Sequence, residues 1–225
     1  MSGENLRNFF GEICLFIIVA HSLNEILDKV APLFNKYGIR SISMDEVASW
    51  LGISKKTLYQ YFRDKEDMMA RVMDHTLKAR NEEIQDLLGQ PADAISQLIR
   101  IHGLVIEFVK NFSAIIEYDL KKYYPAIYEQ THLRYVQMLE ELYIAHIRKG
   151  KSEGTYRSNI DEKVIAKVHI ARVVDLPENR TITVDEYISG EFSRQLIEYH
   201  LRGLIDESKV ELLNEHLNEW KLINH

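Results

Sequence analysis

The chain has 225 residues, including 10 glycines and 4 prolines. These chain-breaking residues are 14 of 225, about 6%, against roughly 12% in average proteins, which excludes turn-rich all-β folds and disordered low-complexity chains. The hydrophobic share of 46% and the charged share of 28% are typical of a globular protein long enough to bury a large core. At first sight, the net charge of −6 argues against a nucleic-acid partner.

The first 21 residues contain the chain's single cysteine, Cys14, and an apolar run over residues 13–20. One cysteine forms no intrachain disulfide, so nothing suggests an oxidising compartment, and we expect a cytoplasmic protein. Eight apolar residues are too few to cross a bilayer, and no convincing small-residue cleavage site follows them, which disfavours a signal peptide. We expect an additional buried or dimer-facing segment here, with a misassigned upstream start codon as the alternative.

An amphipathic helix is predicted over residues 23–37. Apolar side chains recur there every three or four positions, and Gly38 follows as a helix-ending residue. Pro32 lies inside this helix and should kink it near Asp28, because the carbonyl of Asp28 loses its hydrogen-bond partner.

Two capped helices follow, joined by a turn that contains Gly52. Ser43 and Glu46 form a capping box, so the first of these helices begins here and runs to about residue 50. Ser54 caps the second helix, which ends near residue 62, and a third helix opens at residue 64. A three-residue turn with glycine between two such helices is typical of a helix-turn-helix.

The rest of the sequence also predicts helices, with no segment of strand periodicity. We expect them over residues 92–110, 112–122, 125–150, 160–175, 185–205 and 208–222, with breaks near 111, 125, 150–154, 177–180 and 203. The predicted fold is therefore all-α: an N-terminal three-helix helix-turn-helix DNA-binding domain, and a C-terminal helical ligand-binding and dimerisation domain. The expected boundaries are 1–21 for the N-terminal extension, 22–68 for the first domain and 69–225 for the second.

The second helix of the helix-turn-helix has an outward face suited to DNA. If Leu58 and Phe62 are buried, Lys56 and Gln60 point away from the core, and no carboxylate occurs between residues 54 and 63. Lysine can bond guanine and glutamine can bond adenine in the major groove. Residues 22–65 carry seven Lys/Arg and five Asp/Glu, a net +2, which leaves −8 for the remainder. The alternative is an ordinary solvated helix face.

Residues 42–68, ISMDEVASWLGISKKTLYQYFRDKEDM, resemble the tetracycline-repressor-like (TetR/AcrR) family of transcriptional regulators. They match the motif G-[IV]-S-x-x-T-L-Y-x-[YH]-F-x-x-K-E-x-[LM] throughout. The resemblance implies a homodimeric regulator, usually a repressor, with a small-molecule pocket in its larger domain. By position, the DNA contacts fall on Ser43, Lys55, Lys56, Thr57, Tyr59, Gln60, Tyr61 and Lys65. Two features depart from the family: Lys56 replaces a residue that is often Gly, Pro or Ala, and the first 21 residues have no counterpart.

Two predicted helices are candidates for a dimer interface, since one helix-turn-helix covers only one half-site of an operator. The helix over 160–175 is apolar at Val164, Ile165, Val168 and Ala171. The helix over 185–205 is apolar at Tyr187, Ile188, Phe192, Leu196, Tyr199 and Leu204. Two such helices from each subunit would form a four-helix bundle, although ordinary core packing explains the same stripes equally well.

The segment 102–143 is rich in aromatic side chains that carry a polar group, as the lining of a pocket for a largely apolar ligand would be. The candidate pocket residues are His102, Phe108, Phe112, Tyr118, Tyr124, Tyr128, His132 and Tyr135. Aromatic residues at helical spacing also serve as ordinary core, which is the alternative for each of them. An effector in this pocket would change the spacing of the two recognition helices and lower the affinity for DNA.

The sequence gives little support for an enzymatic function. The sequence has no phosphate-binding glycine loop, no His-Glu-x-x-His and no Cys-x-x-Cys. Glu129 and His132 form one Glu-x-x-His, whereas a di-iron bundle needs two with two further glutamates, so we expect no metal and no cofactor. The remaining alternatives are a helical ligand-sensing or adaptor protein whose helix-turn-helix binds protein and, third, a ferritin-like enzyme.

Overall fold

The computed structural model describes residues 22–111, 114–174 and 181–223, and within them the fold is all-α. The helices are α1 (Leu23–Tyr37), α2 (Met44–Leu51), α3 (Lys55–Tyr61), α4 (Lys65–Gly89), α5 (Ala94–Asn111), α6 (Ala114–Tyr123), α7 (Pro125–Ser152), α8 (Glu162–Val174), α9 (Val184–Ile188), α10 (Gly190–Leu204) and α11 (Val210–Ile223). The predicted extension over residues 1–21 lies outside the described residues. In the described part of the chain, no helix is long and apolar enough to cross a membrane.

The chain divides into two compact units between Thr76 and Leu77, inside α4. In the N-terminal unit, α1, α2, α3 and the start of α4 enclose a core of aliphatic and aromatic side chains. Its buried members include Ile26, Val30, Phe34, Ile39, Val47, Leu51, Leu58, Phe62, Met68, Met69 and Val72. Each helix contributes one apolar stripe to this core, as the sequence periodicity predicts. The α1 helix continues through Pro32 to Tyr37.

Side-chain caps fix where the short helices of the N-terminal unit begin. The predicted capping box of α2 is confirmed: the Ser43 hydroxyl accepts from the Glu46 N–H at 3.2 Å, and the Ser43 N–H donates to Glu46 Oε2 at 2.7 Å. The predicted cap of α3 is also present, since Ser54 Oγ accepts from the Thr57 N–H at 3.0 Å. These local bonds position two helices of eight and seven residues, each too short to be stable alone.

The turn between α2 and α3 depends on Gly52. Its backbone has φ 69° and ψ 26°, the left-handed region that a side chain disfavours. Its N–H donates to the carbonyl of Ser49 at 3.1 Å, and the Ile53 N–H donates to that of Ala48 at 3.0 Å. This arrangement ends α2 in one residue and turns the chain directly into α3.

The C-terminal unit contains a large core cluster formed by α4, α5, α7, α8, α10 and α11. Its fully buried members include Ile95, Leu98, Leu139, Tyr143, Tyr156, Ala166, Ile197, Leu201 and Leu213. A second, smaller cluster is formed by Val105, Ile106 and Tyr187, with Leu196 and Ile188 packed against it. The α10 helix contributes Ile197 to the first cluster and Leu196 to the second, so it lies along the seam between them.

Two predicted helix boundaries in the C-terminal unit are wrong. The helix predicted over 185–205 is two helices, because the chain leaves helical geometry at Ser189, and it continues through Gly203 to Leu204. The break predicted over residues 150–154 is present, since α7 ends at Ser152 and φ is +66° at Gly154. Gly150 lies inside α7 because the Tyr156 ring packs directly on it, where a Cβ would overlap the ring.

Replacing Gly52 by alanine should destabilise the protein by about 1–2 kcal/mol, because an L residue is strained in the left-handed region. Gly103 is the matched control: it is exposed within α5, and no heavy atom lies within 4 Å of where its Cβ would be. Gly103→Ala should therefore stabilise by roughly 0.5–1 kcal/mol. Urea unfolding of the two variants measures both changes in the free energy of unfolding. If the two changes had the same sign, the left-handed conformation of Gly52 would not be what the turn requires.

Candidate functional site

The α3 helix presents one apolar face to the core and one polar face to solvent. The predicted orientation is confirmed, since Leu58 and Phe62 are fully buried while Lys56 and Gln60 are exposed. Lys55 and Tyr59 are exposed as well. Four residues of α3 therefore offer ammonium, amide and phenol groups outward, all able to bond nucleic acid.

Lys55 has a carboxylate partner that the sequence analysis missed. Its Nζ lies 2.7 Å from Asp45 Oδ1, and the hydrogen bond to Asp45 raises the pKa of Lys55. Asp45 belongs to α2, ten residues earlier, and the tight turn brings the first turns of the two helices together. Both side chains are exposed, so the pair is weak and screened, and a phosphate can replace Asp45.

Two other predicted contact residues already bond within the N-terminal unit. The Ser43 hydroxyl lies 2.7 Å from Glu46 Oε2, and the hydrogen bonds from Ser43 lower the pKa of Glu46. Ser43 is therefore engaged as a helix cap. Thr57 Oγ1 lies 2.7 Å from Ser54 Oγ in the cap of α3 and is half-buried. These bonds leave the two hydroxyls less able to reach a nucleic acid than the side chains of Lys56 and Gln60.

Lys65 and Tyr61 flank the exposed face of α3. Lys65 is the first residue of α4, and its Nζ lies 3.4 Å from the backbone carbonyl of Arg40. An ammonium has three donors, so Lys65 can bond this carbonyl and a phosphate together. Tyr61 is half-buried, next to the ring of Phe62 at 6.4 Å between centroids.

A second polar site lies inside the C-terminal unit, where a small cavity is lined by side chains from α5, α8, α9 and α10. Its lining residues are His102, His169, Arg172, Tyr187, Leu196 and Ile197. The cavity volume is about 10 Å³, room for one water-sized group. A guanidinium and two imidazoles in an apolar interior need hydrogen-bond partners, because burying them without such partners is costly.

Arg172 is bonded to histidines rather than to a carboxylate. Its Nη2 donates to His169 Nδ1 at 3.1 Å and to His200 Nδ1 at 2.9 Å. Since guanidinium only donates, both Nδ1 atoms accept, and the ring hydrogen of each neutral imidazole is on Nε2. His169 Nε2 then donates to the Tyr143 hydroxyl at 2.7 Å.

The histidines around this cavity are neutral at physiological pH. Burial lowers the pKa of His102 to about 4, and burial together with the charge of Arg172 lowers the pKa of His200 to about 3. Burial and neighbouring His200 hold the pKa of His169 well below its usual value. Arg172 is therefore the charged group among the residues that line the cavity.

The structure brings one of the predicted pocket residues, His102, to this cavity. Phe108 and Tyr135 pack together elsewhere, 6.4 Å apart, with the Arg80 guanidinium over Phe108. Tyr118 is exposed and bonds Lys122 on the same helix. The other described candidates lie on the first turns of α7: Tyr124 is half-buried, and Tyr128 stacks on His132 at 5.7 Å. Phe112 lies outside the described residues.

Sequence reasoning missed Arg172 and assigned Tyr187 to a dimer face. Arg172 gave no distinct signal, because α8 also contains Lys163 and Lys167 and a charged residue in such a helix is typical of solvent exposure. Tyr187 is fully buried, beside the His102 ring at 6.2 Å between centroids. Nothing in the local sequence links these residues to His102, 70 to 85 positions earlier.

Comparisons with known proteins identify the kind of helix-turn-helix. The family model "Bacterial regulatory proteins, tetR family" matches residues 26–72. The transcriptional repressor KstR2 of Rhodococcus jostii is 26% identical over 140 residues, covering 61% of this chain and 69% of KstR2. An HTH-type transcriptional regulator of Mycobacterium tuberculosis is 44% identical over 50 residues, 22% of this chain and 21% of that protein. A regulator of solved structure from Cytophaga hutchinsonii has a TM-score of 0.65 at 19% identity, covering 80% of this chain and 97% of its own.

A helix-turn-helix with a polar, carboxylate-free recognition face, joined to a second helical unit, defines a DNA-binding transcriptional regulator rather than an enzyme. Residues 26–72 match the model of the TetR family of such regulators, and the sequence relatives are themselves helix-turn-helix transcriptional regulators. The solved structure, at 19% identity, supports the fold alone. The match over residues 26–72 also favours DNA over protein as the target of the helix-turn-helix.

Asp45→Asn should increase the affinity for duplex DNA severalfold, because it frees the Lys55 ammonium and removes a negative charge beside it. One additional phosphate contact should also steepen the dependence of log affinity on log salt by about one. Fluorescence anisotropy of labelled duplex at a series of salt concentrations measures both. In a Lys55→Gln background, Asp45→Asn should leave the salt dependence of the affinity unchanged. A steeper salt dependence there would exclude Lys55 as the source of the additional phosphate contact.

Proposed function

We propose that this protein is a ligand-released repressor that binds a pseudo-palindromic operator as a homodimer. The observation that carries the proposal is the outward face of α3, which is polar and contains no carboxylate of its own. Repression rather than activation is supported by the sequence relative KstR2, whose name describes a repressor. Because its target is DNA, we place the protein in the cytoplasm.

Base reading is assigned to the two most outward side chains of α3. Lys56 and Gln60 are one helical turn apart and exposed, so both can reach the major groove together. The remaining predicted residues, Ser43, Lys55, Thr57, Tyr59, Tyr61 and Lys65, surround this pair and are assigned to sugar and phosphate contacts. For Lys55 this requires exchange of Asp45 for a phosphate.

An effector in the C-terminal unit would control these contacts by linkage. A ligand that binds one arrangement of the dimer more tightly shifts the population toward that arrangement. If that arrangement spaces the two recognition helices poorly for the operator, the ligand lowers the affinity for DNA, and DNA lowers the affinity for the ligand by the same factor. The polar cavity beside Arg172 is the site from which we expect this coupling.

Selection of bound duplexes from random DNA tests the proposed function. The wild-type protein should enrich a two-fold symmetric sequence, and Gln60→Ala should lose preference at one position of each half-site. Lys65→Ala should instead weaken binding to all sequences alike and lower the salt slope by about one per site. The absence of an enriched sequence would overturn operator binding, and an unaltered profile for Gln60→Ala would remove it from the base-reading set.

The dimer interface is assigned to α8 and α10. Val164, Val168 and Ala171 form a stripe at helical spacing on α8 that is exposed, with Val164 at 56% and Val168 at 54%. Tyr199 on α10 is 76% exposed. The rings of His169 and His200 lie 4.2 Å apart between their centroids, so α8 and α10 contact each other there. The predicted members Tyr187 and Leu204 are buried in the unit's own core instead.

Val168→Glu should convert the dimer to a monomer, because it places a charge in the centre of an apolar interface. Affinity for the full operator should fall about a hundredfold or more through lost avidity, while affinity for a half-site changes little. Sedimentation velocity and anisotropy measure these quantities. Leu133→Glu is the matched control, since Leu133 on α7 is equally exposed at 57%, and it should leave the dimer intact. A dimeric Val168→Glu protein would rule out this face.

A further inference from the structure

Arg172 is a partly buried cation without an acidic partner. Among the described residues no carboxylate lies within salt-bridge distance, and the partners of its guanidinium are two neutral histidines. Arg194, on α10, shows the usual arrangement, with Glu191 at 3.0 Å and Glu198 at 2.7 Å. A guanidinium removed from water without a counter-ion is costly, so an anion that accepts hydrogen bonds from Arg172 would be bound favourably.

Two further donors at the same cavity have no hydrogen-bond partner among the residues that the structure describes. Arg172 Nε and the Tyr187 hydroxyl are both buried, and neither finds a hydrogen-bond partner within the described part of the chain. Tyr187 is 1% exposed, and burial raises the pKa of its hydroxyl to about 12, so this group is a donor at neutral pH. An anion with two oxygens can accept from Arg172 and from Tyr187 together.

The apolar part of the cavity lining consists of Leu196 and Ile197, which pack into different core clusters. Leu196 packs against the smaller core cluster and Ile197 belongs to the larger one, so the cavity lies where the two clusters meet. Its present volume of about 10 Å³ accepts a single water-sized group. A ligand with an apolar body therefore requires the clusters to separate along α10, whereas it finds its charged contact already in place.

We propose that this cavity binds the carboxylate of a small organic acid with an apolar body, the carboxylate on Arg172 and Tyr187 and the body along the seam between Leu196 and Ile197. This inference rests on the proposed function, because it identifies the organic acid with the effector that releases the repressor from DNA. Separation of the seam moves α10, which also carries Tyr199 of the proposed dimer face. Acid binding and dimer geometry are thereby linked through one helix.

Calorimetric titration of the full-length protein without DNA tests this site. Butanoate, hexanoate and octanoate are the probes, each paired with the primary alcohol of the same chain length. At least one acid should bind, and its alcohol at least tenfold more weakly, because a hydrogen bond to a charged group exceeds a neutral one by about that factor. Alcohols that bind as tightly as the acids would overturn the carboxylate assignment.

Variants of the two donors then assign the contacts. Arg172→Gln should weaken acid binding about tenfold or more, and Tyr187→Phe roughly fivefold, without weakening binding of the alcohols. Arg194→Gln is the matched control, a partly buried arginine of the same unit with carboxylate partners, and should bind acids as the wild type does. Thermal unfolding of each variant confirms that it is folded.

The outcomes separate this inference from the proposed function. If no acid in the series binds, or if folded Arg172→Gln binds it unchanged, the carboxylate site is wrong even where the protein still enriches an operator. If acids bind through Arg172 but no DNA sequence is enriched, the site stands and the repressor function fails. An acid that binds through Arg172 and releases the selected operator supports both.

Discussion

The burial of Leu58 and Phe62 beneath α3 is the constraint on which the DNA-binding surface depends. A helix of seven residues has no stability of its own, so its rotation about its axis is set by the two side chains that it places in the core. With Leu58 inward, the 100° step of the helix points Lys56 and Gln60 outward. The same packing places Lys55 beside Asp45. The orientation of α3 therefore determines both the face that would contact DNA and the carboxylate that competes with DNA phosphate for Lys55.

The N-terminal unit could be predicted closely from sequence because its signals are local. Caps at Ser43 and Ser54 and the left-handed Gly52 act over three or four residues, so their spacing alone predicts where α2 ends and α3 begins. The pairing of Lys55 with Asp45 could not be predicted in this way, because it depends on how two helix ends meet in space. The predicted DNA contacts stay predictions, with Ser43 and Thr57 already bonded as caps.

The C-terminal unit was predictable in class but not in detail. Helical periodicity describes which residues share a face, yet gives no sign of whether that face meets the unit's own core or another molecule. Val164 and Tyr199 prove to be exposed, whereas Tyr187 and Leu204, assigned to the same face, are buried. The break at Ser189 also places Tyr187 and Tyr199 on separate helices, α9 and α10, where a single helix is predicted.

The polar cavity escaped sequence analysis because its members are distant in the chain and ordinary in isolation. His102, Arg172 and Tyr187 come from three helices, and each alone is typical of a core or surface position. Their significance arises from charge: neutral histidines surround a cation that no carboxylate of the described chain balances. A folded protein tolerates the cost of a partly buried, unbalanced cation where a bound anion supplies the missing negative charge. Because α10 forms one wall of the cavity and exposes Tyr199 on its outer side, the helix that senses this charge is also the one that would transmit it to the partner subunit.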